Sequence, residues 1–171
     1  MTGPVIRIRP ADESDMAFIH GLSQRLSDVP RPDWHDLAAM RAFQGRFMTA
    51  MLGDPPPVAA LLVAVDGAGQ RLGFVQALPG RDGVTDEACG YVSLLALDLA
   101  AEGQGIAAAL MAAVEDWAVL AGFRLLSLDV FATNQRALRF YERCGFRPES
   151  LRMVKVLGAA GPSGCAPRSA P

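Results

Sequence analysis

The residues best able to do chemistry lie between Tyr91 and Phe146. Gly103-Gln104-Gly105 separates an apolar run of strand length, Tyr91 to Leu97, from a helical pattern over Ile106 to Leu120. The N–H groups at a helix start have no partners within the helix, so Gly103 to Ala108 offers a seat for an anion such as a phosphate. Glycine at 103 and 105 lets that backbone come close to a ligand with no Cβ in the way. Further on, a strand-like run over Leu125 to Phe131 leads to a second helix from about Asn134 to Cys144, closed by Gly145. Asn134 suits an N-cap and can also bind a polar ligand. Tyr141 carries a phenol able to donate a proton, although Ala137, Phe140, Tyr141 and Cys144 also make an apolar stripe that would place it in the core. Arg136, Arg139 and Arg143 share that helix, and Arg136 is the one favoured for a phosphate contact. Asp86 and Glu87 precede the central strand and are the candidates for taking a proton from an ammonium group.

Composition narrows the field. A chain of 171 residues with 51% hydrophobic and 20% charged residues reads as one soluble globular domain. Its net charge of −2 provides no footprint for nucleic acid or for an anionic membrane. No apolar run approaches the roughly 18 residues of a membrane span. The start MTGPVIRIRP lacks an apolar core for a secretory signal, and a cytoplasmic protein is expected. Cys89, Cys144 and Cys165, with His20 and His35, share no metal-like spacing, so no metal is expected. Cys89 and Cys144 read as small buried residues, since no histidine is patterned to activate a nucleophile.

Several elements must position these residues. Val5 to Arg9 reads as a first strand, stopped by Pro10. Asp12 or Ser14 then caps a helix carrying Met16, Ile19, Leu22 and Leu26. The turn-rich SDVPRPD at 27–33 separates this from a second helix with Leu37, Met40, Phe43, Phe47 and Met51 on one face, which is either core or a flap over substrate. Val58 to Val65 and Leu72 to Leu78 form a hairpin around Asp66 to Gly69, and Pro79 to Glu87 is a loop. A final pair at 146–147 and 152–157 is expected to complete the sheet. Residues 1–157 are expected to form a single domain, and 158–171, rich in Gly, Pro and small residues, a disordered tail.

Two fingerprints overlap at the glycines. Residues 103–108 fit the dinucleotide pattern GxGxxA, with Asp129 near the position of a ribose-binding acid. Against an NAD(P)-dependent enzyme, five residues separate the strand from Gly103, Asp129 lies inside its strand, and too few strands follow for a doubly wound sheet. A P-loop is excluded because no Lys-Ser or Lys-Thr follows. The second fingerprint has two linked parts: LDLAAEGQGIAAAL, and the segment from Asn134 through Arg136-Ala137 and Tyr141 to Gly145-Phe146. Together they resemble the GNAT superfamily of N-acetyltransferases, closely over about 90–157 and loosely before it.

The resemblance implies an α/β (α+β) fold with a mixed, mostly antiparallel central sheet flanked by helices. It implies acetyl-CoA as cosubstrate and transfer of its acetyl group to a primary amine, by direct attack in a ternary complex rather than through an acetyl-enzyme. Gly103, Gln104, Gly105, Ile106, Ala107 and Ala108 would hold the pyrophosphate, with Gln104 able to add its side chain. The backbone of Leu95, Ala96 and Leu97 would pair with the pantetheine and polarise the thioester. Asn134, Arg136 and Ala137 would complete the coenzyme site, and Tyr141 would touch the sulfur as general acid. Glu87 is the expected base beside it, directly or through water, with Asp86 and plain solvent left open. The acceptor is a small molecule or a protein amine, and a homodimer is allowed. One departure stands out: Glu102 occupies a position that is often Arg in the family, and it is expected to point to solvent. That residue keeps open a non-catalytic acyl-CoA-binding module as the competing reading.

Overall fold

The computed structural model describes residues 5–157; the expected tail and Cys165 lie outside the described residues. Five strands form one sheet in the order β1-β2-β3-β4-β5: β1 Arg7–Pro10, β2 Ala60–Val65, β3 Arg71–Arg81, β4 Ala88–Leu97 and β5 Leu126–Leu128. The first four pair antiparallel, and β4 pairs with β5 parallel. That parallel step needs a crossover, which helix α4, Ile106–Leu120, supplies. The sheet is mixed and mostly antiparallel, with helices on both faces. A doubly wound parallel sheet, required by the dinucleotide alternative, is not what this chain builds.

Alternation along the strands sorts the core into two layers. Ala64, Val75, Ala77 and Val92 face Ile106, Leu110, Met111 and Val114 of α4. Val63, Val65, Phe74, Leu94 and Ala96 face the other way, onto Ile19, Leu22 and Met48. Those residues belong to the N-terminal helices α1 (Met16–Gly21), α2 (Ser23–Ser27) and α3 (Leu37–Gly53), with Leu22 at the α1/α2 junction.

The bulge in β4 matters most for the site. Gln76 lies opposite Leu94 and Ala77 opposite Val92, so Ser93 has no partner. One extra residue reverses the alternation: Val92 packs toward α4, whereas Leu94 packs toward α3. Ser93 donates to Gln76 Oε1 at 2.9 Å, and the fully buried Gln76 donates to the Met51 carbonyl at 2.7 Å, which ties the bulge to the end of α3. Past the bulge the sheet divides. Strand β5 pairs with Gly90, Tyr91 and Val92 alone, so the outer edge of Leu94 to Leu97 has no strand beside it among the described residues.

The N-terminal helices are fastened to the sheet by a buried carboxylate. Asp12 caps a short turn, as expected, and Asp15 within that turn has no exposed surface. Arg9 on β1 donates to it twice, at 2.6 and 2.9 Å; Arg71 on β3 donates at 2.6 Å and the Asp12 N–H at 2.9 Å. The Arg9 hydrogen bonds, outweighing the cost of burial, hold the Asp15 carboxyl well below the usual carboxylate range.

Several expectations are corrected. Residues 146–157 form no strand, because β5 offers an edge of only three residues; Leu151 and Met153 are left exposed. The run expected over Leu125 to Phe131 is a strand only over Leu126–Leu128. The first helix is broken at Leu22 into two short pieces. On α3 the buried stripe is Met40, Gln44 and Met48, while Phe43 is exposed and stacks on Phe47 with ring centroids 5.6 Å apart.

Candidate active site

Where β4 and β5 diverge, the sheet opens into a cleft of about 760 Å³. Its floor is the free edge of Leu95, Ala96 and Leu97, whose side chains are packed in the two core layers. What this strand presents to the cleft is therefore backbone. In a strand paired on one side only, alternate N–H and C=O groups point outward without a partner.

One wall is the glycine turn. Gly103 and Gly105 have φ of 75° and 79°, the left-handed region that costs any other residue strain, and Gly105 is the N-cap of α4. No side chain caps that end, so the first-turn N–H groups of Ile106, Ala107 and Ala108 face the cleft that these residues line. This end of the helix suits an anion.

The opposite wall is α5, Gln135–Arg143. Asn134 caps it, its Oδ1 accepting from the Ala137 N–H at 3.2 Å. Gly145, with φ of 89°, stops it. Asn134, Arg136, Ala137, Phe140 and Tyr141 line the cleft from this side. Tyr141 packs edge-on to Phe146, centroids 5.9 Å apart, and burial pushes its phenol up to about 12, so it remains a neutral donor through any working pH. Cys144 also lines the cleft, and burial raises its thiol as well, which leaves it a poor nucleophile.

The cleft therefore collects the expected coenzyme-site residues and Tyr141, but neither the Gln104 side chain nor the two candidate bases, Glu87 and Asp86. The Gln104 side chain turns back to the Ala100 carbonyl at 2.8 Å and lies outside it, so only the Gln104 backbone belongs to the turn. Glu87 is also outside, bound to Arg124 between the end of the β3–β4 loop and the start of β5. Asp86 is exposed and pairs loosely with Arg81 at 3.5 Å.

Glu102 overturns its expectation. It lines the cleft, only 24% of its side chain is exposed, and its carboxylate is held by Arg25 from α2 and by Arg136 from α5 at 2.7 Å. These arginines, Arg136 first, draw its carboxyl below the usual carboxylate range. Arg25 was not legible as a site residue; it is a basic residue on an ordinary amphipathic helix, and only folding brings it to a turn 77 residues away. Its Nε is buried and has no hydrogen-bond partner among the described residues. Asp28, Val29 and Pro30 also reach the cleft, from the stretch read as a simple break between helices.

A backbone edge at a strand split, an uncapped helix start and a protonated phenol form one opening. Over residues 19–146 the chain matches the family model described as the Acetyltransferase (GNAT) family. The chain belongs to the GNAT acetyltransferases. Solved structures agree on the fold. A protein from Pyrococcus furiosus described as an acetyl transferase superposes with a TM-score of 0.73 at 23% identity, covering 90% of this chain and all of its own. The aminoglycoside N-acetyltransferase AAC(6')-Iy in complex with CoA gives 0.64 at 20% identity, covering 91% of this chain and 95% of its own. Glucosamine-6-phosphate N-acetyltransferase from Arabidopsis thaliana gives 0.59 at 16%, covering 90% and 99%. No curated protein sequence matches this chain significantly. Among the described residues no helix is long and apolar enough to cross a membrane, and no cluster of His, Cys, Asp or Glu could hold a metal.

Proposed function

We propose that residues 1–157 form one acetyltransferase domain that moves the acetyl group of acetyl-CoA to a primary amine by direct attack in a ternary complex. The carrying observation is that the unpaired edge of β4, the uncapped start of α4 and Tyr141 line one cleft. The N–H groups of Ile106, Ala107 and Ala108 suit a pyrophosphate. The free edge of Leu95 to Leu97 suits an extended chain with amide groups, which pairs as an added strand and places a thioester carbonyl against a backbone N–H.

The chemistry then divides among the protein's residues. An amine must be neutral to attack, and it sheds a second proton once bonded to carbon. The thiolate that leaves, with a conjugate acid near 8.5, needs a hydrogen bond and then a proton. Tyr141 supplies the hydrogen bond. Since its phenol lies well above the thiol, it works as a relay, giving its proton to sulfur as it recovers one from the attacking nitrogen. Glu87, bound to Arg124, is left without a part, and solvent takes the first proton.

Glu102 tunes the affinity. A carboxylate about 6 Å from a phosphate in a water-like dielectric costs roughly 0.7 kcal/mol per phosphate charge, so two charges amount to about tenfold in binding. Glu102→Gln is therefore expected to tighten coenzyme A binding about tenfold at low salt, less at high salt, by titration calorimetry. Weaker binding by the variant would mean that Glu102 serves to hold Arg25 and Arg136 in place for the phosphates.

The Glu102 pair of arginines also supports the second reading, a module that binds acyl-CoA without turnover. Amine-dependent release of free thiol from acetyl-CoA tests between them. Release above the solvent rate is expected with at least one member of a broad amine panel; coenzyme binding with no release from any member would favour the module.

A further inference from the structure

Arg25 enters the cleft with its bonding half made. Among the described residues the charged groups lining the opening are Arg25, Asp28, Glu102, Arg136 and Arg143. Asp28 pairs loosely with Arg41, which lies outside the cleft, at 3.5 Å. Glu102 divides its carboxylate between two elements: Oε1 accepts from Arg25 Nη2 on α2, and Oε2 accepts from Arg136 Nη2 on α5 at 2.7 Å. In a guanidinium, Nε and the neighbouring Nη form a fork that a carboxylate or phosphate meets with two parallel bonds. Each oxygen of Glu102 serves a different arginine, so this carboxylate does not fill the Arg25 fork. Arg25 Nε is buried and has no hydrogen-bond partner among the described residues.

The place is as informative as the bonding. On either side of Arg25 along α2, Leu22 is buried in the layer of Val63, Leu94 and Ala96, and Leu26 packs against that layer. The base of the arginine is therefore fixed by the core, and 38% of its side chain is exposed, against 75% for Arg136. Its tip meets Glu102, the residue directly before Gly103, where the turn leads into the uncapped start of α4. An anion on the N–H groups of Ile106 to Ala108 thus has a pre-positioned guanidinium beside it, which costs less ordering than a free surface arginine. A phosphate carries more oxygens than Glu102 has to spare, and it can fill both arms of the fork.

We infer that Arg25 is a ligand of the coenzyme pyrophosphate, bonded to Glu102 in the free protein and passed to the phosphate when coenzyme A binds. This rests on the reading of the cleft as a coenzyme A site. The pyrophosphate, rather than the 3′-phosphate, is the partner because Arg25 reaches residue 102, at the glycine turn. Were Arg25 only a counter-ion that neutralises Glu102, its value to binding would vanish once Glu102 lost its charge.

The test is a double-variant cycle read by titration calorimetry with coenzyme A and with 3′-dephospho-coenzyme A. It uses the full chain, Arg25→Gln, Glu102→Gln and the two substitutions combined, each checked for folding by its melting temperature. In the Glu102→Gln background, adding Arg25→Gln is expected to weaken both ligands about tenfold at low salt, the size of one charge-assisted hydrogen bond. In the unaltered background the loss is expected to be at least as large, since Glu102 is then left with one arginine fewer. Equal affinities of Glu102→Gln and the combined variant overturn the inference. A loss seen with coenzyme A but absent with the 3′-dephospho form also overturns it, because Arg25 would then serve the 3′-phosphate. Where Arg25→Gln fails to fold, Arg25→Lys keeps the charge without the fork; a loss of a few-fold is expected, and unchanged affinity overturns the inference. No binding of coenzyme A by the unaltered protein overturns it together with the assignment of the cleft.

Discussion

Replacing Tyr141 by phenylalanine is expected to lower acetyl transfer by about 10²-fold, the usual contribution of a positioned general acid, while coenzyme A binding changes little. The substitution removes one oxygen atom. Tyr141 owes its raised phenol to burial and to Cys144, with no hydrogen bond to the hydroxyl among the described residues, so none of these is stranded as a buried partner by its loss. Its ring keeps its contacts with Phe140 and Phe146. Folding should therefore survive, and a fall in kcat without a fall in melting temperature separates a role at the sulfur from a role in packing. Acetyl donors with a more acidic leaving thiol should narrow the gap between the two proteins. Unchanged turnover would remove Tyr141 from the mechanism.

The largest effect on stability is expected at Asp15. Removing one member of a buried ion pair typically costs about 3–5 kcal/mol, because the remaining charge is left without compensation. Arg9 and Arg71 keep 26% and 33% of their side chains exposed and can recover some hydration. Asp15→Ala is therefore expected to lose about 2–3 kcal/mol at pH 7, somewhat below that range. The sign of the pH dependence follows from the lowered carboxyl of the folded state. Its contribution is present above the unfolded value near 4 and is lost as pH falls toward the folded value. Denaturant melts should show a smaller difference between the two proteins at pH 3 than at pH 7. A difference that is negligible at pH 7 would contradict the role given to this carboxylate.

Legibility in the sequence followed how local each cause is. Helix α4 runs over Ile106–Leu120 as its apolar spacing implies, with a glycine N-cap at 105 and another left-handed glycine, Gly122, just past its end. Asn134 and Gly145 bound α5 for equally local reasons. The bulge at Ser93 is not a local feature; it follows from a pairing register set against β3. Sequence and structure part where distant chain segments decide. Exposed Phe43 and buried Gln44 depend on which face of α3 meets the sheet. Glu102 reads as solvent-facing in sequence because nothing near it announces that Arg25 and Arg136 arrive from two other helices. The expected final strand pair had suitable residues, yet three paired residues of β5 give it too little to build on. Asp129 stands out in sequence only for its spacing from the glycines, while its bond to Tyr91 comes from strand pairing.

A thermal-shift titration of the purified protein with acetyl-CoA, coenzyme A and NAD side by side tests most directly whether the cleft is a coenzyme A site. A ligand that binds only the folded state adds RT ln(1 + [L]/Kd), about 2.7 kcal/mol at a hundredfold excess over Kd. Stabilisation by the two coenzyme A compounds and none by NAD is the predicted result. No shift with either coenzyme A compound at millimolar concentration would contradict the assignment of the cleft.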